Sequence, residues 1–444
     1  MMRFVIIGSG AAGLEAAETL AQCVQGAQIT LVSNDRHGHY SRPGLAYYLN
    51  GEIPREQLFP FRQEELRRMG LKWVHAAAAS LFPGAHQLRL GSGHTLVYDR
   101  LLLATGASAQ MPDLPGIQRE GVVKLDDLDD AEKIRELARR RCEAIVVGGG
   151  ITALELVEGM AACGARVSYL IRGDRFWSNV LDPEESRLVE GRLQAEGVRI
   201  LTQTQVTEIL GDRQVKGVRT QAGQTIPCQL AAFAVGIKPR LELARAAGLQ
   251  VKRGILVNEY LQTSQADIFA AGDGAEIINS RGGESILESL WNPARQQGRT
   301  AALNMSGERI PYRRGAAINV TRLAGLVTTI IGQIGPKIPE PDKDTIGILR
   351  GDSEGWRQVP DAMAAQTTSQ SDRLRLYIGS HTISGAIVMG DQALSRPLQH
   401  LIERQVDIRP IRAALVAPGA NLAEIIQSSW EQLENTRPSE VPHA

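Results

Sequence analysis

The chain has 444 residues, of which 43% are hydrophobic and 22% are charged, so it is long enough for two or three soluble domains. Lysine plus arginine and aspartate plus glutamate both total 49, which gives a formal net charge of zero. This balance argues against electrostatic attraction to nucleic acid or to an anionic membrane surface, so neither is expected as a partner.

The chain has four cysteines that share no CxxC or metal-ligand spacing: Cys23, Cys142, Cys163 and Cys228. We expect reduced thiols in a cytoplasmic protein, without a redox-active dithiol. The N-terminal apolar run is too short for a signal peptide. The most apolar long stretch, residues 316–335, contains Arg322 and many β-branched residues, so we predict buried strands there and no membrane span.

The predicted elements begin with a βαβ unit. Residues 3–7 form a short apolar strand, the turn "GSGAAG" follows, and a helical pattern leads to a second strand at residues 28–32. The same order recurs roughly 140 residues later, where the strand 143–147 precedes "GGGITA", a helix and a strand ending in "RVSYLI". The chain therefore contains two βαβ units of the nucleotide-binding type.

The remaining elements connect and follow these two units. A buried strand ends near residues 104–106 before a crossover rich in proline and glycine, and a second crossover contains Lys238 and Pro239. Three further elements are predicted before residue 315: a helix at 131–141, a strand with a Gly-Asp turn within 267–277, and a helix at 291–307. From about residue 315 onward we predict an α+β domain with strands at 346–351, 374–379 and 385–390 and a helix at 397–405.

The first glycine turn, Gly8-Ser9-Gly10-Ala11-Ala12-Gly13, fits G-x-G-x-x-G between a strand and a helix. In this motif the first glycine makes the tight turn, the second lets a pyrophosphate approach the backbone, and the third allows close packing of helix and strand. An acidic residue that holds a ribose is expected about 20 residues later. Ser33 and Asn34 stand there, so they are the candidates for that contact, unless they only form a turn.

The second glycine turn, residues 148–153, has alanine at the third glycine position, which is an allowed variant. Glu155 follows on the helix, either as a ligand-facing carboxylate or as a surface residue favoured by the helix dipole. The next strand ends in Ile171 and Arg172, where an acid usually holds the ribose. Absence of the acid removes repulsion toward a 2′-phosphate, and Arg172 could pair with it, which favours NADPH over NADH.

Together with "ATG" at 104–106 and "IFAAGD" at 268–273, the two turns resemble the pyridine nucleotide-disulfide oxidoreductase superfamily of two-dinucleotide-binding-domain flavoproteins. Residues 39–53, "HYSRPGLAYYLNGEI", resemble rubredoxin and ferredoxin reductases and the flavin portion of NADH-dependent nitrite reductase. Disulfide reductases of the superfamily carry a redox-active cysteine in this region, and this chain has none.

The resemblance implies an α/β fold with two Rossmann-like nucleotide-binding domains, for FAD and NAD(P), plus a C-terminal α+β interface or dimerisation domain. The implied domains are an FAD-binding domain at 1–118 and 243–314, an NAD(P)-binding domain at 119–242, and the C-terminal domain at 315–444. The implied FAD contacts are Gly8, Gly10, Ala11, Ala12, Gly13, Ser33, Asn34, Arg42, Pro43, Thr105, Gly106, Asp273 and Trp291. The implied NAD(P) contacts are Gly148, Gly150, Ile151, Thr152, Glu155, Arg172 and Gly236.

The resemblance further implies an FAD-dependent NAD(P)H oxidoreductase in which no side chain acts as nucleophile; Arg42, Pro43, Trp291 and Glu155 are expected beside the flavin. The implied partner is a small electron-acceptor protein, iron–sulfur or similar, on another chain, and a homodimer is the expected oligomer. Two alternatives stay open: an FAD-binding electron-transfer subunit or scaffold that has lost pyridine nucleotide binding, and an NAD(P)H oxidase. No metal site is predicted, and a thiol or disulfide reductase is disfavoured.

Overall fold

The protein divides into two compact units. The first holds residues 1–174 and 194–314, and the second holds residues 175–193 with the described residues from 315 onward. The computed structural model describes residues 1–61, 65, 68–138, 142–278, 285–334, 363–368 and 372–435. Within these ranges no helix is long and apolar enough to cross a membrane. The finer domain boundaries inside residues 1–314 stay a prediction.

The strands are short, as expected for apolar runs bounded by glycine and polar turns. Those of the first unit are β1 (Arg3–Ile7), β2 (Gln28–Ser33), β3 (Lys72–His75), β4 (Ala78–Phe82), β5 (Gln87–Leu90), β6 (Thr95–Val97), β7 (Arg100–Leu103), β8 (Ala107–Ala109), β9 (Val122–Val123), β10 (Glu143–Val147), β11 (Arg166–Leu170), β12 (Arg199–Leu201), β13 (Val206–Gly211), β14 (Val215–Thr220), β15 (Thr225–Pro227), β16 (Leu230–Phe233), β17 (Ile237–Pro239), β18 (Ile255–Val257), β19 (Ile268–Ala270), β20 (Ala275–Ile277) and β21 (Ile286–Leu287). Those of the second unit are β22 (Ile318–Leu323), β23 (Leu326–Gly332), β24 (Met363–Thr368), β25 (Arg373–Ile378) and β26 (Ile383–Met389).

The helices vary from one turn to four. They are α1 (Ala11–Cys23), α2 (Gly44–Leu49), α3 (Leu128–Ala138), α4 (Ile151–Ala162), α5 (Pro183–Ala195), α6 (Glu242–Ala246), α7 (Trp291–Met305), α8 (Ser395–Glu403), α9 (Arg409–Leu415) and α10 (Leu422–Asn435). The two predicted glycine turns therefore lead directly into helices α1 and α4, as nucleotide-binding βαβ units require.

The first glycine turn follows the carboxyl end of β1, the central strand of an all-parallel sheet with the strand order β19-β7-β1-β2-β3. Phe4 and Ile6 of β1 are fully buried, as expected for a central strand covered on both faces. Helices α1 and α7 pack so closely that a Cβ at Gly298 of α7 would lie 2.2 Å from the carbonyl oxygen of Ala12. The chain leaves β1 toward β2 on one side and later adds β7 on the other, so β1 and β7 flank the topological switch point.

The second glycine turn has the same setting in a second parallel sheet, with the order β12-β11-β10-β16-β9. Here β10 and β16 flank the switch point. The segments between the two sheets, which we predicted as crossovers, pair with each other as the antiparallel strands β8 and β17. Lys238 of β17 lies opposite Ser108 of β8 in this pairing. Smaller sheets complete the described part of the first unit: the antiparallel sheets β4-β5-β6 and β13-β14-β15, and the mixed sheet β18-β20-β21.

The second unit has an antiparallel sheet in the order β22-β23-β26-β25-β24. Residues of this sheet and of helices α8, α9 and α10 form one apolar core. The apolar stretch at 316–335 forms β22 and β23, which confirms the predicted strands. The strands predicted at 374–379 and 385–390 and the helix at 397–405 are confirmed as β25, β26 and α8. The strand predicted at 346–351 lies outside the described residues.

A buried ionic cluster connects the start of α5 to strand β25 within the second unit. The side chains of Glu185, Arg373 and Arg375 are 0%, 1% and 5% exposed. Nη2 of Arg375 lies 2.9 Å from Oε2 of Glu185, and Nη2 of Arg373 lies 2.6 Å from Oδ2 of Asp182. Asp182 and Glu185 also form a capping box, because Oδ1 of Asp182 accepts the Glu185 N–H and Oε2 of Glu185 accepts the Asp182 N–H.

Candidate functional site

The inner side of the first glycine turn has no room for side chains, whereas its outer side faces open space. Gly8 has a φ of +110°, and a Cβ there would lie 2.0 Å from the carbonyl oxygen of Ala104. A Cβ at Gly13 would lie 1.9 Å from the carbonyl oxygen of Gly8. A Cβ at Gly10 would meet no atom within 4 Å. The turn is therefore closely packed against the sheet, and its open side lies at Gly10, before the N-terminus of α1.

The carboxyl ends of the neighbouring strands bring the other predicted residues to the same sheet edge. Thr105 and Gly106 follow β7, and Asp273 follows β19 in a turn closed by the Ala275 N–H donating to the Gly272 carbonyl at 2.9 Å. Gly272 N–H donates in turn to Oε1 of Gln297 at 2.8 Å. The parallel strands thus place these predicted residues, far apart in the chain, along one edge.

Ser33 and Asn34, the two ribose candidates after β2, have different environments. Ser33 is buried, and its Oγ accepts a 2.9 Å hydrogen bond from Oγ of Ser9 in the glycine turn. Asn34 is exposed. Because the Ser33 hydroxyl is already bonded inside the protein, Asn34 is the better candidate of the two for a ligand contact.

Three further predicted residues lie around the loop between β2 and α2. Arg42 donates through Nη1 to the carbonyl oxygen of Asp126, and its guanidinium lies 3.9 Å from the carboxylate of Asp35. Pro43 immediately precedes α2, and Trp291 is the first residue of α7. The loop thus brings Arg42 next to a segment more than 80 residues further along the chain.

His39 is a site residue that the sequence analysis missed. Its side chain is buried, and its Nδ1 lies 2.7 Å from the carbonyl oxygen of Ser9 in the glycine turn. A carbonyl can only accept, so Nδ1 carries the proton in this contact. The ring centroid lies 6.3 Å from that of Trp291. Burial lowers the pKa of His39, so the imidazole is neutral at pH 7.

The second glycine turn repeats the packing of the first. Gly148 has a φ of +155°, and a Cβ there would lie 2.4 Å from the carbonyl oxygen of Ala234. Gly150 precedes α4 with extended backbone, and Ile151 and Thr152 form the first turn of that helix. Gly236 follows β16 with a φ of +118°, and its carbonyl accepts the Gln110 N–H at 2.9 Å.

The end of β11 carries no acid next to this turn. Ile171 is 1% exposed, and its Cγ2 lies 4.0 Å from the position of a Cβ on Gly149. Arg172, the next residue, is exposed. An apolar side chain therefore packs beside the second glycine turn, and a positive charge stands at the sheet edge.

The four cysteines provide no dithiol. All are free: Cys23 is exposed, Cys142 and Cys163 are partly buried, and Cys228 is buried. Burial raises the pKa of Cys228 to about 12, so this thiol stays protonated and unreactive at neutral pH.

These features fit two dinucleotides. Each glycine turn lies at the switch point of a parallel sheet, ahead of a helix N-terminus, where the backbone N–H groups and the helix dipole favour a pyrophosphate. The open side of Gly10 provides the close backbone approach that such a group needs. Fold and site therefore define a protein with two dinucleotide-binding βαβ units.

Comparison with known proteins assigns the family. The model of the pyridine nucleotide-disulphide oxidoreductase family matches residues 2–298. The chain therefore belongs to this family, and the predicted class, an FAD- and NAD(P)H-dependent oxidoreductase, is confirmed.

Individual relatives differ in how much of their length the chain covers. The chain is 26% identical over 432 residues to the NADH-dependent phenylglyoxylate dehydrogenase subunit epsilon of Aromatoleum evansii, covering 96% of this chain and 98% of that protein. It is 31% identical over 367 residues to the ferredoxin–NAD(+) reductase component of the biphenyl dioxygenase system of Paraburkholderia xenovorans, covering 80% and 85%. The NAD(P)H nitrite reductase of Bacillus subtilis is 26% identical over 419 residues, or 91% of this chain, which spans only 48% of that protein.

A solved structure has the same fold. The ferredoxin reductase from Rhodopseudomonas palustris superposes with a TM-score of 0.83 at 24% identity, covering 96% of this chain and 99% of that one. The predicted fold class is thereby confirmed for the chain, including its C-terminal part.

Proposed function

We propose that this chain binds FAD at the first glycine turn and NAD(P)H at the second, and that it passes electrons from NAD(P)H to a one-electron acceptor protein on a separate chain. The observation that carries the proposal is the pair of glycine turns at the switch points of two parallel sheets, whose connecting segments pair as β8 and β17. This pairing joins segments from the two sheets within one compact unit, which supports the proposal.

The proposed FAD site uses the turn from Gly8 to Gly13 for the pyrophosphate, and Asn34 for a ribose hydroxyl. Thr105, Gly106 and Asp273 would contact the cofactor along the sheet edge, with Arg42, Pro43 and Trp291 at the flavin. Neutral His39 supports the turn through the Ser9 carbonyl without adding a charge beside the pyrophosphate.

The proposed NAD(P) site uses Gly148, Gly150, Ile151 and Thr152 at the pyrophosphate, Gly236 as backbone along the nucleotide, and Glu155 toward the nicotinamide. When bound, FAD and NAD(P)H would supply the redox chemistry, a hydride transfer from the nicotinamide to the flavin. The chain's own contribution is to bind the two cofactors, to hold them in fixed relative geometry and to keep water from the contact.

The proposed acceptor is a small iron–sulfur protein or an iron–sulfur subunit. The absence of a dithiol among the four cysteines disfavours a disulfide substrate. One relative is named as a ferredoxin–NAD(+) reductase component, and another, matched over nearly its whole length, as a subunit of a larger dehydrogenase. A cytoplasmic location and a homodimer complete the proposal.

Steady-state assays with three acceptors test this choice. FAD-loaded protein with NADPH or NADH is expected to reduce a small ferredoxin or rubredoxin at least 10-fold faster than it consumes oxygen or reduces a disulfide probe. The proposal gives the electrons to an acceptor protein, and the four free cysteines offer no dithiol for a disulfide. Faster oxygen consumption would indicate an NAD(P)H oxidase, and rapid disulfide reduction abolished by Cys23→Ser would indicate a thiol relay.

Arg172 is proposed to contact the 2′-phosphate of NADPH. The Arg172→Ala substitution is expected to lower kcat/KM for NADPH about 10-fold, because it removes a charge-assisted contact worth ~1.5 kcal/mol. The kcat/KM for NADH should stay unchanged. The measurement is the ratio of the two kcat/KM values. Arg213→Ala, which removes another exposed arginine, is the matched control. An unchanged NADPH to NADH ratio in Arg172→Ala would show that Arg172 only faces solvent.

A further inference from the structure

Asp126 is a buried carboxylate surrounded by basic side chains that lie far apart in the chain. Its side chain is 8% exposed. Its Oδ2 lies 3.1 Å from Nζ of Lys124 and 3.3 Å from Nη2 of Arg240, and its Oδ1 lies 3.9 Å from Nη1 of Arg42. Burial alone would raise the pKa of Asp126, but the three cations outweigh it and hold this pKa below its usual range. The carboxylate is therefore ionised and paired.

Arg240 connects this carboxylate to both crossover segments. Its Nε donates to Oγ of Ser108 at 2.6 Å, and its Nη1 donates to the carbonyl oxygen of Thr105 at 3.3 Å. The hydroxyl of Thr105 donates back to the carbonyl oxygen of Arg240 at 3.1 Å, and the Arg240 N–H donates to Gly106 at 3.0 Å. The guanidinium of Arg240, which follows β17, thus bonds β8, the turn after β7 and Asp126, which lies between β9 and α3.

Arg42 is connected to the same carboxylate from the other side. Its Nη1 donates to the backbone carbonyl of Asp126, while its side chain remains about one-third exposed. Asp126 consequently touches one residue of the proposed flavin contacts and, through Arg240, the segments that join the two halves. Asp126 is thus placed to hold Arg42 through its backbone carbonyl and its carboxylate, and Arg240 through its carboxylate.

We propose that Asp126 and Arg240 are positioning residues that hold Arg42 and the paired crossovers in register, and so fix the nicotinamide half against the flavin half. The proposal rests on the proposed function for its catalytic consequence, but not for the geometry of the connection. Displacing bound reactants by about 1 Å can cost on the order of 100-fold in rate, so loss of this connection acts on the transfer rate more than on binding.

Two arms of one experiment test the proposal on the full-length, FAD-loaded protein with the variants Asp126→Asn, Arg240→Gln and their combination. The first arm is hydrogen exchange of the crossover amides, where faster exchange at Gln110 and Arg240 is expected. The second arm is the single-turnover rate of flavin reduction at saturating NAD(P)H. This rate is expected to fall 10- to 100-fold in each variant, with nucleotide Kd within about threefold, and the double variant is expected to match the worse single one.

Glu120→Gln is the matched control, because it neutralises an exposed carboxylate that pairs with Arg213. Arg240→Lys keeps the charge but loses the guanidinium N–H groups that bond Ser108 and Thr105. It therefore provides a milder variant if Arg240→Gln fails to fold. The proposal would be overturned if hydrogen exchange at the crossover amides were unchanged. It would also be overturned if the rate losses of the two single variants multiplied in the double variant. A different outcome is that the crossover amides exchange faster in the variants, but neither nucleotide reduces the flavin even of the unsubstituted protein. That outcome would support the connection and refute the proposed function.

Discussion

The Gly10→Val substitution is expected to leave the protein folded and to weaken FAD binding at least about 100-fold, or ~2.7 kcal/mol. A Cβ at Gly10 meets no atom of the protein within 4 Å, and its φ of −73° and ψ of −170° are allowed for any residue. The only loss is therefore the space in which a pyrophosphate reaches the backbone. Flavin content after gel filtration and FAD titration of the apoprotein measure the effect.

Two other glycines make the test specific. Gly84→Val places the same side chain in open space at an exposed turn away from the sheet edge, so it should retain full FAD affinity. Gly8→Ala should lower the melting temperature as well, because its Cβ would lie 2.0 Å from the Ala104 carbonyl oxygen at a φ of +110°. Equal flavin content in Gly10→Val and Gly84→Val would refute the assignment of the first turn to FAD.

The Glu185→Ala substitution is expected to lower the free energy of unfolding of the second unit by about 3–5 kcal/mol. It removes the nearer carboxylate partner of the buried Arg375 guanidinium and leaves Asp182 at 3.9 Å, and an arginine cannot give up its proton. It also removes one half of the capping box at α5. Denaturant unfolding followed by tryptophan fluorescence includes a signal from this unit through Trp177 and Trp430, whereas Trp73 and Trp291 report on the first unit.

Glu184→Ala is the matched control one residue away. Glu184 also pairs with Arg373, at 2.6 Å, but its side chain is 53% exposed, so its loss should cost no more than about 1 kcal/mol. If the two alanine variants were equally stable, the buried cluster would have no special role.

Arg375→Met tests the same cluster through its pH dependence. Burial raises the pKa of Glu185, and removal of Arg375 raises it further, so this carboxyl takes up a proton in the folded variant. The native state then binds more protons than the unfolded state, and the stability of the variant should rise as the pH falls through the folded-state pKa of Glu185. A loss of stability that is independent of pH would contradict this.

Much of the architecture could be predicted because its determinants are local in the chain. The turns at Gly8 and Gly148 follow apolar strands and precede helices, and those flanks specify the βαβ units. Parallel strand order then carries Thr105 and Asp273 to the predicted edge without any information on contacts.

The residues that escaped prediction act through distant partners. His39 gains its role from the Ser9 carbonyl, Asp126 from Arg42 and Arg240, and Glu185 from Arg375. Such pairings depend on how sheets and loops pack, and no motif in the sequence carries them. For His39, only its place in the "HYSRP" stretch before α2 could have drawn attention to it.

Anaerobic mixing of the FAD-loaded protein with NADH or NADPH tests the central claim most directly. We expect either nucleotide to bleach the visible flavin absorption within one turnover, with NADPH the more efficient of the two. The contradicting result is a flavin that keeps its full absorption with both nucleotides while dithionite bleaches it. That outcome would identify a protein that binds FAD without accepting hydride from a pyridine nucleotide.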